Sequence, residues 1–204
     1  MEFLAEYGHY RLYAFDFDGT LFETLPLNAY AYSQAAHKYG AELSPRIYAR
    51  KCDGRDYRDF LADVCGITDP QIQKKIHDEK KRIYLENLHM IRENRDLLQL
   101  AEKVRARAQN GAAVLTALVT TASRELVLRV LEQFHIDCFD IFVTKEDIHA
   151  QKPAPDCYLK AMEIAGVKPS ETVCFEDSLA GIRSAKAAGA SVIKINIRNG
   201  IKGA

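Results

Sequence analysis

Short apolar runs rich in Val, Ile and Phe alternate with longer stretches of helical periodicity along much of the chain. That alternation predicts a parallel sheet covered by helices. The predicted strands span 12–17, 114–120, 141–144, 172–175 and 191–195. After the second, Ser123 stands as an N-cap, and Leu126, Val127, Val130, Leu131 and Phe134 recur on one helical face. After the third, a helix runs from about Asp156 to a stop near Gly166. Between the last two strands Ser178 caps a helix whose Ala- and Ile-bearing face continues to Gly189. Strand, helix and strand in this order are βαβ units.

The stretch 22–91 interrupts the rhythm, with helical patterning and no convincing strand over seventy residues. One helix is expected over 28–39 with a stop at Gly40, another over 57–65 with a stop at Gly66, and a longer one after Asp69-Pro70. In the last, Ile72, Ile76, Ile83 and Met90 recur near heptad spacing among Lys and Glu, which fits either a coiled-coil seam or one face of a small bundle. The expected fold is therefore α/β: a Rossmann-like parallel sheet with helices on both faces, from 1–22 and 92–204, and a small inserted α-helical cap domain at 23–91.

Composition narrows the class. At 204 residues the chain suits one substantial core with an insertion. The 28 basic and 28 acidic residues cancel, and no long run of like charge occurs, so no nucleic-acid footprint and no membrane patch is expected; the partner is a small molecule. A monomer is compatible with this pattern, which defines no oligomeric state. The five cysteines, Cys52, Cys65, Cys138, Cys157 and Cys174, are odd in number and form no C-x-x-C pair, which fits buried thiols in a reducing compartment. Residues 1–13 carry Glu2, Glu6 and His9 and lack the plan of a signal peptide, and no run of 18 apolar residues occurs, so a cytoplasmic location is expected.

The candidate chemistry lies at strand ends. The first strand finishes in Asp16-Phe17-Asp18-Gly19-Thr20-Leu21, two carboxylates at the carboxyl edge of a parallel sheet, where ligands bind. Gly19 lets the chain turn sharply there. The fourth strand finishes in Phe175-Glu176-Asp177-Ser178, which adds further acids. Like charges about 4 Å apart repel by roughly 4 kcal/mol per pair at an effective dielectric near 20, so the cluster needs a cation or protons. All-oxygen ligands in this small number suit Mg2+. The second strand runs into Thr120-Thr121-Ala122-Ser123 before a helix, which offers hydroxyls and amides to an anion. Lys152, in a loop stiffened by Pro153 and Pro155, offers a fixed positive charge.

In order and spacing these four stretches resemble the haloacid dehalogenase-like superfamily, in its phosphatase and β-phosphoglucomutase-like branch with a helical cap after the first motif. Asp16 precedes Thr121 by 105 residues, Lys152 follows 31 later and Asp177 another 25 later. The resemblance implies Asp16 as nucleophile and metal ligand, and Asp18 as general acid and base and as a ligand through its carbonyl. It implies Asp177 as a further ligand and Glu176 as a ligand or a residue just behind one. Thr121 would hold the transferring phosphate, with Thr120 as the alternative, the backbone near Ala122 would assist, and Lys152 would neutralise charge. Asp18 disfavours dehalogenase and phosphonate-hydrolase chemistry, leaving an Mg2+-dependent phosphatase of a small phosphate monoester, acting through an aspartyl phosphate. A sugar-phosphate mutase is the alternative: Thr24 suits a mutase hinge, whereas Asn28 replaces the histidine of that pattern. A non-catalytic phosphometabolite-binding protein is a further alternative. The segment 52–58 resembles the family's substrate-specificity loop; Arg55 and Arg58 there are candidate clamps for a second anionic group, or partners of Asp53, Asp56 or Asp59 in surface ion pairs. Glu93-Asn94 stands where the family often has a Pro-Gly pair at the return to the core.

Overall fold

The computed structural model describes residues 8–197. Most of the amino-terminal stretch read for a targeting signal lies outside them. Five strands, β1 (Leu12–Phe15), β4 (Leu115–Val119), β5 (Ile141–Val143), β6 (Thr172–Glu176) and β7 (Ser191–Lys194), form one sheet in the order β5-β4-β1-β6-β7. Every pairing is parallel, and β1 is flanked in register by both neighbours, Phe15 lying beside Leu118 and Phe175. All four β1 residues are buried, as a strand covered on both faces requires.

Two helical layers supply that cover. Helices α7 (Asp156–Ala165) and α8 (Leu179–Ala187) pack on one face, where Leu12, Ala14, Val119, Val143, Tyr158, Met162 and Ala185 share a core. Helix α5 (Arg95–Gln109) packs on β4. The sheet's other apolar row includes Phe15 and Phe175, stacked with ring centroids 4.6 Å apart. Each buried phenylalanine stabilises the fold by roughly 1.5–3 kcal/mol. Between β4 and β5 runs α6 (Arg124–Gln133), burying Val127, Val130 and Leu131. The chain steps outward from β1 through β4 to β5, then returns to place β6 on the opposite flank of β1. This reversal puts a topological switch point at the carboxyl ends of β1 and β6.

The chain divides into two compact units: residues up to Glu23 together with those from Glu93 onward, and Thr24–Arg92. In the second, α1 (Leu25–Lys38), α2 (Pro45–Lys51), α3 (Tyr57–Cys65) and α4 (Pro70–Glu86) enclose Tyr32, Tyr48 and Phe60, whose rings lie 5.0–5.6 Å apart. Ser44, Asp56 and Asp69 cap the last three helices by accepting first-turn amides. Helix α4 buries Gln73, Ile76, Lys80, Ile83 and Tyr84, whereas Ile72 is exposed and Met90 lies in a separate 3₁₀ turn. The heptad-like spacing thus marks one face of a bundle.

Several elements differ from the expectation. Strand β1 stops at Phe15 because the chain then turns: the Leu21 and Phe22 amides both donate to the Phe17 carbonyl, and the Gly19 amide to that of Phe22. Two short strands, β2 (Phe22–Glu23) and β3 (Arg92–Glu93), pair where the chain leaves and re-enters the first unit. Helix α1 begins three residues early, since Pro26 fits a first turn. Helices α2 and α5 had no predicted counterpart. Ser123 occupies the N-cap position of α6 without capping it; the Arg124 amide instead donates to Glu146 at 3.0 Å. All five cysteines are free, four of them buried and Cys65 partly so. Among the described residues no helix is long and apolar enough to cross a membrane.

Candidate active site

The two strand ends at the switch point bring three carboxylates together. Asp16 follows β1, its amide held by the Phe175 carbonyl at 3.0 Å; Glu176 ends β6, and Asp177 follows. One ligand oxygen from each lies within 4.8 Å of the others, the spacing a bound metal ion needs. Asp18 is half-buried, and its carboxylate is not one of the three.

Lys152 enters this cluster from the loop before α7, after which Pro153 forms a cis peptide. Its three ammonium hydrogens are spent on Asp16 Oδ1 at 2.5 Å, Glu176 Oε1 at 2.7 Å and the Val119 carbonyl at 3.2 Å. Burial alone would drive off the proton, but the carboxylates of Asp16 and Glu176 outweigh it and hold Lys152 charged, above its ordinary value. Burial also pushes the Asp16 carboxyl well above the usual range, against the pull of Lys152. Asp177 is pushed up to about 6, by burial first and then by the Glu176 charge. One ammonium therefore serves a cluster of three carboxylates, and the donor set fits a hard, oxygen-seeking cation.

Glu176 is fully buried and held on both oxygens. Its Oε1 accepts from Lys152 and from the Tyr158 hydroxyl at 2.6 Å, and its Oε2 from Ser178 at 3.3 Å. Helix α8 makes room for it only through Gly181, where any Cβ would overlap the carboxylate. On the other side Gly19, at φ +79, lies flush against Asp177, and Thr20 Oγ1 donates to Asp177 Oδ1 at 3.1 Å.

At the end of β4, Thr120 is buried and its hydroxyl accepts the Ala122 amide at 3.1 Å, so it braces the turn; Thr121, one residue on, is half-buried. Arg55 and Arg58 belong to the helical unit. Arg58 makes a two-pronged pair with Asp56, whereas Arg55 pairs with Asp63 at 2.5 Å, two turns along the following helix and outside the expected set of Asp53, Asp56 and Asp59. The sequence reading missed Tyr158, which hides in an ordinary helical stripe, and Gly181, whose place inside a helix was the available signal.

Residues 13–195 match the model of the family described as haloacid dehalogenase-like hydrolase, and the chain belongs to that family. It is 31% identical over 180 residues to the phosphorylated carbohydrates phosphatase of Thermotoga maritima, covering 86% of this chain and 80% of that one. It is 29% identical over 189 residues to hexitol phosphatase A of Escherichia coli, covering 90% and 82%. Among solved structures, CbbY of Rhodobacter sphaeroides in complex with phosphate superposes with a TM-score of 0.75 at 25% identity, covering 96% of this chain and 90% of that one.

Proposed function

We propose that this protein is a magnesium-dependent phosphatase that hydrolyses a small phosphorylated carbohydrate through an aspartyl phosphate on Asp16. The observation that carries the reading is the buried contact of Lys152 with Asp16 beside two further carboxylates at the switch point. The named activities of the Thermotoga and Escherichia relatives support the substrate class.

Asp16 attacks phosphorus, forming a carboxylate–phosphorus bond as the ester P–O bond breaks, which divides one difficult displacement into two easier ones. Asp18 protonates the departing alkoxide, then takes a proton from the water that releases inorganic phosphate. Lys152 stays charged throughout and offsets negative charge on Asp16 and the phosphoryl oxygens. Thr121 and the amides near Phe17 and Ala122 hold the phosphate. Asp16, Asp177 and the Asp18 carbonyl would hold Mg2+, which would supply Lewis-acid neutralisation of the phosphoryl group. Glu176, engaged by Lys152, Tyr158 and Ser178, positions the lysine. Substrate choice is assigned to the helical unit.

The test is a panel of sugar phosphates ranked by kcat/KM, with and without Mg2+, with inorganic phosphate as the measured product. Magnesium-dependent phosphate release supports the reading. Transfer to a second position on the sugar without release would replace it with mutase chemistry, and absence of both would refute it.

A further inference from the structure

Asn94 closes β3 and opens α5, is 6% exposed, and directs three polar groups to three different tasks. Its Oδ1 accepts the Leu97 amide at 3.3 Å, an ordinary N-cap. Its main-chain N–H donates to the Leu21 carbonyl at 2.8 Å. Its Nδ2 donates to the Thr20 carbonyl at 3.1 Å, across 74 residues of sequence. Thr20 is itself fully buried and passes its hydroxyl to Asp177 Oδ1. One side chain is thus joined through a single residue to a carboxylate of the acidic cluster. A glycine here, as in the Pro-Gly pair named above, offers the main-chain contact but neither side-chain bond.

We propose that Asn94 is a positioning residue for Asp177. By holding the Thr20 carbonyl it orients the Thr20 hydroxyl, and with it the direction in which Asp177 presents its oxygens to a cation. The inference rests on the reading of Asp177 as a metal ligand and adds to it a support drawn from the segment where the chain re-enters the α/β unit.

A helix cap and a positioning residue are separated by variants that keep one role. Asn94→Asp, nearly isosteric, retains the capping oxygen and puts an acceptor in place of the Nδ2 donor to Thr20; Asn94→Ser retains a capping oxygen on a shorter side chain that lacks Nδ2, and serves if the aspartate variant folds poorly. Each is measured for metal-free melting temperature, for the Mg2+ concentration that half-saturates the Mg2+-induced rise in melting temperature, and for kcat and KM. Loss of one hydrogen bond in the chain that holds a ligand is expected to raise the half-saturating Mg2+ concentration ~3- to 10-fold, with KM for substrate less affected. Thr20→Val should weaken Mg2+ binding similarly, and the double variant no more than the worse single one, because both act on one chain of contacts. Unchanged Mg2+ dependence in both Asn94 variants, or additive losses in the double variant, overturns the inference while leaving the metal site intact. A wild-type protein with no response to Mg2+ overturns the metal-site reading, and this inference with it.

Discussion

Gly181→Ala should be harmful, against the usual rule. Gly181 lies in the first turn of α8, and replacing a helical glycine by alanine ordinarily stabilises by about 0.5–1 kcal/mol. Here the added Cβ overlaps the Glu176 carboxylate, which is fully buried and bonded to Lys152 at 2.7 Å, Tyr158 at 2.6 Å and Ser178 at 3.3 Å. Moving the carboxylate sacrifices at least one hydrogen bond to a charged group, about 1.5–3 kcal/mol, and overpacking adds about 1–3 kcal/mol. After subtracting the helical gain, the expected cost is about 2–5 kcal/mol, read by urea unfolding. Because Lys152 loses an anchor, kcat should fall as well. In a Glu176→Asp background the carboxylate withdraws by one methylene, so the same substitution should cost at least ~1 kcal/mol less. A neutral or stabilising Gly181→Ala, or an equal cost in both backgrounds, would refute the placement of Glu176 and its role behind Lys152.

Tyr158→Phe removes the second donor to Glu176 Oε1 without opening a cavity; it should lower stability by about 1–3 kcal/mol and kcat about tenfold with KM nearly unchanged, as steady-state kinetics will show. Asp177, raised to about 6 in the folded state, favours folding while protonated, and that contribution is lost as pH rises through 6. Metal-free Asp177→Asn should therefore be more stable than wild type at pH 7, by up to about 3 kcal/mol, with the difference vanishing below about pH 3. The same variant should no longer be stabilised by Mg2+. Thr120→Ala deletes the acceptor of the Ala122 amide and should cost about 1–3 kcal/mol of stability, whereas Thr121→Ala should leave melting unchanged and raise KM; the reverse pattern would reassign the phosphate to Thr120.

Much of the α/β unit was legible because a parallel sheet buried on both faces writes apolar runs, as in β1 and β6, whose residues are all buried, whereas the edge strand β7 exposes Ser191 and Lys194. The strand ends were less so: Phe17 is as apolar as Phe15, and only the hydrogen bonds to its carbonyl show that the chain has turned. Helix α5 escaped because Arg95, Asp96, Glu102, Lys103, Arg105 and Arg107 dilute an apolar face made by Leu97, Leu98, Leu100, Ala101 and Val104. In the site, Asp16, Glu176 and Asp177 were readable as acids at strand ends, and the structure brings them together with Lys152. What the pattern concealed is the packing behind them. Tyr158 reads as one more core residue of a helix, and Gly181 as a weak helix former. Their meaning comes from the buried carboxylate they surround, a contact between β6, α7 and α8 that no local periodicity encodes.

The central claim is that Asp16 carries the phosphoryl group, and it is tested most directly by trapping. Wild-type protein turning over a sugar phosphate with Mg2+ is quenched with borohydride, which reduces an acyl phosphate to the alcohol, and the peptide spanning residue 16 is analysed by mass spectrometry. The account predicts conversion of the Asp16 side chain to a primary alcohol, dependent on substrate and absent from the Asp16→Asn variant, which should also release no phosphate. Reduction at another carboxylate, or full phosphatase activity in Asp16→Asn, would contradict it.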